Sequence, residues 1–129
     1  MSHKILVVDD EQRIADTLAL ILQHSGYETA TAYDGASAME LSVEFQPDLV
    51  LTDVMMPGMS GIELAMAFSE NLPKCKVLLF SGQAATTEML ERARKRGFDV
   101  PLVAKPAHPE ELLKRVAKIL NTPDLRQVA

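Results

Sequence analysis

The chain holds one cysteine, Cys75, among its 129 residues. A single thiol cannot close an internal disulfide, and it cannot build a cysteine-cluster zinc or iron–sulfur site. The three histidines, His3, His24 and His108, are scattered without the spacing of a metal-binding pair. No apolar run approaches the ~18 residues that a membrane-spanning helix needs, and the N-terminal segment lacks the pattern of a secretory leader. Repeats, low-complexity tracts and linker-like stretches are missing as well. These absences lead to the expectation of one soluble, cytoplasmic domain. A chain of this length hides roughly two-thirds of its unfolded surface, so its core needs no covalent staple.

Positive charge is scarce in the first half. Residues 1–64 carry 2 basic and 11 acidic side chains, whereas residues 65–129 carry 11 basic and 7 acidic, so a net −5 divides into −9 and +4. Charges of both signs are interleaved with apolar residues throughout, which describes solvated helix faces rather than a tail.

What the chain does contain is alternation. Short apolar runs occur at Lys4–Val8, Leu49–Thr52, Lys76–Phe80 and, more weakly, Pro101–Ala104. Near-continuous apolar runs suit parallel strands buried on both faces. Glu28–Ala32 alternates and is less apolar, as an edge strand would be. Between the runs lie helical patterns. Ile14, Leu18, Ile21 and Leu22 share one face of a helix over 12–24, stopped by Gly26. Gly35–Phe45 is a weaker candidate. Ser60 and Glu63 form a capping-box pair ahead of a helix over 61–71. A further pattern runs from Thr87 to Arg96 and ends at Gly97. The last begins at Pro109 with two acids in its first turn, and its stripe is Leu112, Leu113, Val116, Ile119 and Leu120. Five strand–helix units in series predict an α/β fold, a parallel sheet with helices on both faces joined by right-handed crossovers. In such folds the ligand crevice lies beyond the carboxyl ends of the strands.

The residues at those ends are polar. The first strand is followed by Asp9, Asp10 and Glu11, the third by Asp53, the fourth by Ser81 and the fifth by Lys105. Any one of them alone reads as a solvated loop residue or a helix cap; their coincidence at one rim reads as a site. Three carboxylates in one crevice repel each other unless a cation joins them. Oxygen ligands without His or Cys suit a hard ion such as Mg2+. A lysine and a hydroxyl facing that ion supply charge compensation and hydrogen bonds to a phosphoryl group, and a carboxylate beside them can attack phosphorus. The residues therefore predict a Mg2+-dependent phosphoaspartate site.

With VVDDE at Val7–Glu11, DVMMPGMSG at Asp53–Gly61, FSG at Phe80–Gly82 and AKP at Ala104–Pro106, the chain resembles the receiver domain of two-component response regulators, in its stand-alone form. The resemblance covers essentially the whole chain. It implies the flavodoxin-like (βα)5 three-layer sandwich with strand order 2-1-3-4-5, a receiver over 1–121, and a short tail over 122–129 without an output domain. It also implies that Asp53 is the phosphoacceptor and that Asp9, Asp10, Asp53 and the Met55 backbone carbonyl hold Mg2+. Lys105 and Ser81 then contact the phosphoryl group, helped by the backbone at Met55 and Gly82. Further implications are a cis Lys105–Pro106 bond and a loop after Asp53 shaped by Pro57, Gly58 and Gly61, where glycine admits backbone angles other residues avoid. Function follows as an expectation. A sensor histidine kinase, a phosphotransfer protein or a small phosphodonor phosphorylates Asp53, and a surface formed by the fourth helix, fifth strand and fifth helix switches its protein contacts. Such a chain is a switch rather than a turnover enzyme.

Two departures stand out. Receivers carry an aromatic residue three positions before the lysine; here the switch position is Leu102. The segment from Gly97 to Lys105 is one residue longer than the pattern, with Phe98 nearby as a packing residue. Met55 and Gln83 occupy positions that tune dephosphorylation in relatives, and Met cannot orient a water. The competing readings are a degenerate receiver that docks without phosphorylation, and a small hydrolase with an aspartyl-phosphate intermediate. The latter class wants its two aspartates separated by one residue, and Asp9 and Asp10 are adjacent. A dinucleotide oxidoreductase is disfavoured because DDEQR after the first strand has no glycine for a pyrophosphate. Arg92, Arg94, Lys95 and Arg96, with Lys114, Arg115 and Lys118, lie on or beside the expected output surface. They favour an acidic protein partner or a homodimer over nucleic acid.

Overall fold

Alternating side chains along four apolar runs decide the layering. The computed structural model describes residues 2–82, 85–98, 100–105 and 108–121. Its elements in chain order are β1 (Lys4–Val8), α1 (Gln12–His24), β2 (Glu28–Ala32), α2 (Gly35–Phe45), β3 (Leu49–Thr52), α3 (Gly61–Asn71), β4 (Lys76–Ser81), α4 (Ala85–Lys95), β5 (Leu102–Ala104) and α5 (Pro109–Leu120). All strand pairs are parallel, and the sheet order is β2-β1-β3-β4-β5. This is the flavodoxin-like order that the resemblance implies. Among the described residues, no helix is long and apolar enough to cross a membrane.

Because strand side chains alternate faces, Ile5, Val7, Leu49, Leu51, Leu78, Phe80 and Val103 form one core with Ala15, Leu18, Ala19 and Leu22 of α1 and Leu112 and Val116 of α5. Leu6, Val8 and Val50 point the other way, against Ala38 of α2 and Leu64 and Phe68 of α3. Leu79 continues that face with Val54, Ile62 and Ala65, and with Leu90 and Ala93 of α4. The sheet is thus buried on both sides, which is why its central strands read as unbroken apolar runs. Each fully buried leucine contributes about 1.5–3 kcal/mol by its removal from water. Met39, Met66 and Met89 pack at the margins of these clusters, as does Phe98.

Helix ends follow the expected chemistry with two additions. Ser60 and Glu63 make the capping box, the Glu63 N–H donating to Ser60 Oγ at 3.1 Å and the Ser60 N–H to Glu63 Oε1 at 3.3 Å. α2 is stopped by Gln46 in the left-handed region (φ 52°), a non-glycine stop that hides the boundary in the sequence. His108, which reads as a bland residue, caps α5 by accepting the Glu110 N–H at Nδ1 (3.2 Å). α4 starts at Ala85 and ends at Lys95, earlier than the Thr87–Arg96 pattern, and Gly97 (φ 84°) closes the turn after it. β4 extends to Ser81, and β5 begins at Leu102 rather than Pro101. Pro101 has no N–H for the ladder but accepts the Leu79 N–H at 2.9 Å. Cys75 is buried just before β4, and burial pushes its thiol up to about 12, with Asp48 adding to the shift.

Candidate functional site

Parallel pairing continues one residue past several strands and thereby locates the polar side chains. The Asp9 N–H donates to the Ala32 carbonyl (3.2 Å), the Asp53 N–H to Val8 (2.9 Å) and the Lys105 N–H to Ser81 (3.1 Å). Asp9, Asp53 and Lys105 are therefore held at one sheet edge by backbone hydrogen bonds before any side chain interacts. The loop from β3 to α3 is fastened there too, the Gly61 N–H donating to the Val54 carbonyl at 2.8 Å.

Side chains then converge. Asp9 is 1% exposed, Asp53 9% and Ser81 4%; Asp10 is exposed at the mouth. Each of Asp9, Asp10 and Asp53 offers an oxygen, and these atoms lie within 4.8 Å of one another. The Lys105 ammonium donates to Asp9 Oδ2 at 3.2 Å and lies 3.5 Å from Asp53 Oδ2. The second oxygens are occupied by backbone: Glu11 N–H on Asp9 Oδ1 (2.9 Å) and Val54 N–H on Asp53 Oδ1 (2.8 Å). Both buried carboxylates are thus oriented at one oxygen, with the other turned toward lysine.

The electrostatics are unbalanced. Burial pushes the Asp53 carboxyl above the ordinary range; Lys105 pulls it down, Asp9 pushes it up, and the Val54 N–H pulls it down. A raised folded-state pKa means that the folded chain holds this proton more tightly than the unfolded one. Its contribution to stability is complete below about pH 3.9, the ordinary aspartate value, and is lost as pH rises through the folded pKa. At neutral pH the ionised group therefore opposes folding. Asp53→Asn is expected to raise Tm by a few degrees at pH 7 and by less at pH 4, as read by calorimetry. An equal gain at both pH values would contradict this.

Leu102 and Met55 are placed as follows, and the expectation for Gly61 is corrected. Leu102 is half-buried, packed like Phe98 against the cluster of Leu79, Leu90 and Ala93 beneath α3 and α4. Met55 is an exposed side chain. Gly61 does not use a positive φ, whereas Gly58 does (φ 78°); a Cβ at Gly61 would lie 2.0 Å from the Asp53 carbonyl oxygen, so close approach is what requires glycine there. Gly82 also runs close, a Cβ there lying 3.1 Å from the Lys105 Cβ. Gln83 and the Lys105–Pro106 bond lie outside the described residues.

One contact of Lys105 is not visible from the strand ends. The Phe80 ring lies beneath the lysine, 5.3 Å from its centroid to Lys105 Nζ. In sequence Phe80 is simply the last apolar residue of a buried run. Its relation to Lys105 emerges only from the β4–β5 register, which places Phe80 opposite Val103.

Comparisons agree with this geometry. CheY4, a chemotaxis response regulator of Vibrio cholerae, is similar at 29% identity, over 92% of this chain and 99% of that one, with a TM-score of 0.80. The receiver domain of NtrX from Brucella abortus shows 33% identity over 92% and 99% of the respective chains, with a TM-score of 0.81. TrrA, a response regulator of Thermotoga maritima solved in complex with Mg2+–BeF, shows 32% identity over 91% and 98%, with a TM-score of 0.79. The family model of the response regulator receiver domain matches residues 5–117. With its sheet order, its acidic cluster and this match over nearly the whole length, the chain belongs to the response regulator receiver domain family.

Proposed function

We propose that the chain is a phosphoacceptor switch of a two-component system, taking a phosphoryl group on Asp53. The observation that carries this reading is the Lys105 ammonium shared between Asp9 and Asp53, at 3.2 and 3.5 Å, beside the exposed Asp10. The donor set is all oxygen and its most buried members repel, which fits a hard divalent cation better than a soft one. Asp9, Asp10 and Asp53 would hold Mg2+, with the Met55 carbonyl completing the set, and the ion would supply charge neutralisation at the phosphoryl oxygens. The complex of TrrA with Mg2+–BeF supports the assignment by similarity.

The protein's own groups then have defined tasks. The Val54 N–H fixes one Asp53 oxygen, leaving the other as nucleophile. That oxygen forms a bond to phosphorus while the bond from phosphorus to the donor's leaving group breaks. The leaving group departs with the bonding electrons, as imidazole from a phosphohistidine or as carboxylate from an acyl phosphate. Lys105 neutralises charge on the transferred group, and the Ser81 hydroxyl and the backbone at Met55 and Gly82 bind its oxygens. The donor is a sensor histidine kinase or phosphotransfer protein. Because the product stays attached, the chain is a switch rather than a turnover enzyme.

Output would pass through the surface of α4, β5 and α5. Its cationic side chains Arg92, Lys95, Arg96 and Lys114 are exposed, which suits an acidic protein partner or a second receiver. Leu102, at the usual aromatic position, packs against the cluster that contains Leu90 and Ala93 of α4. The test is incubation with acetyl phosphate and Mg2+, followed by intact mass measurement. Wild type is expected to gain the mass of one phosphoryl group and Asp53→Asn none. No gain in the wild type would leave the chain a docking module that works without phosphorylation.

A further inference from the structure

We propose that Phe80 is a positioning residue for phosphoryl transfer, its ring holding the Lys105 ammonium against the Asp9–Asp53 pair; this rests on the phosphoacceptor reading. The lysine stem is long and flexible, and its two carboxylate partners lie 3.2 and 3.5 Å from the ammonium. The Phe80 ring supports it at 5.3 Å. Phe80 belongs to the core that includes Val103 of β5 and Leu112 and Val116 of α5, so packing fixes where the ring sits. The register adds a geometric reason. Phe80 pairs with Val103 on adjacent parallel strands, and Lys105 lies two residues further on, so all three project to the same face of the sheet.

The chemistry of the contact suits the task. An aromatic face attracts a cation through its quadrupole yet accepts no conventional N–H hydrogen bond. The ammonium has three donors. Asp9 and Asp53 lie 3.2 and 3.5 Å from it, and the ring lies under it at 5.3 Å without consuming a donor that the incoming phosphoryl oxygens need. A carboxylate at this place would bind the lysine in competition with phosphate, and an aliphatic side chain would leave its position to the stem.

The experiment compares wild type, Phe80→Leu and protein carrying 4-fluoro- or 3,4,5-trifluorophenylalanine at position 80. Fluorination weakens the ring's attraction for a cation while keeping its shape. The rate of acetyl phosphate-driven labelling at Asp53 with Mg2+ is expected to fall stepwise along the fluorinated series, by roughly fivefold in total, the scale of one partly desolvated cation–π contact. The fall should lie in the maximal labelling rate at saturating acetyl phosphate, with the half-saturating concentration of acetyl phosphate and Tm nearly unchanged. Phe80→Leu should be at least as slow as the trifluoro form. A flat fluorinated series overturns the proposal, and a loss confined to Phe80→Leu with a lowered Tm assigns Phe80 to packing alone. If wild type itself takes no label, the phosphoacceptor reading fails and this inference fails with it; a labelled wild type with a flat series removes only this inference.

Discussion

Gly61→Ala is expected to be the most damaging single-methyl change in the molecule. The added Cβ would sit 2.0 Å from the Asp53 carbonyl oxygen, 2.8 Å from its carbonyl carbon and 2.9 Å from Val54 Cα. These are backbone atoms, so no rotamer change relieves the overlap. The Asp53 segment is held on the other side by its N–H on Val8, and Gly61 by its N–H on Val54. Either the loop between β3 and α3 or the start of α3 must move. A loss on the order of 3 kcal/mol follows, at the upper end of overpacking effects, or a fall of roughly 10 °C in Tm for a domain of this size. Asp53 would shift with its carbonyl, so labelling by acetyl phosphate should also drop well below wild type at temperatures where the variant remains folded. Gly26→Ala provides the contrast. Nothing lies within 4 Å of a Cβ there, but φ is 96°, so that variant should lose only about 1–2 kcal/mol of backbone strain and keep wild-type labelling. Equal losses at both positions would show that the close approach at Gly61 is not what matters.

Lys105→Met is expected to lower the initial rate of Asp53 phosphorylation by roughly 10²–10³-fold, the effect of removing one preorganised electrostatic partner of a developing oxyanion. Methionine keeps much of the stem volume beside Gly82, so the change is in charge more than in packing. Because the ammonium lies 3.2 Å from Asp9 and 3.5 Å from Asp53, it competes with any cation for the same oxygens. Calorimetric titration of the variant with Mg2+ should therefore show binding retained and tightened while catalysis is lost. A rate within about threefold of wild type would remove Lys105 from the chemistry. Loss of Mg2+ binding would make it a structural member of the cluster instead.

The fold was legible because each buried strand is a short apolar run and each run ends in a polar residue. Asp9, Asp53, Ser81 and Lys105 are conspicuous for that reason. They occur where the core stops, and parallel topology carries every such stop to the same edge. The parts that were not legible depend on approach rather than pattern. Gln46 ends α2 in a conformation that its residue type does not announce. His108 works as a cap through a ring nitrogen, although residues with short oxygen-bearing side chains are the usual signal. Gly61 looks like a conformational glycine, yet its need is for space. Phe80 is the clearest case. An aromatic residue at the end of an apolar run reads as core, and it is core, but the same ring also faces the ammonium of Lys105. No spacing rule within one strand shows that contact, since it depends on the register with the neighbouring strand.

Asp53, among the three clustered aspartates, is the proposed carrier of the phosphoryl group. Borohydride converts an aspartyl phosphate to homoserine, so the acceptor can be read directly by peptide mass spectrometry after exposure to acetyl phosphate. Homoserine is expected at position 53 alone, dependent on Mg2+. Homoserine at position 9 or 10, or none anywhere in a protein shown to be folded, would contradict it.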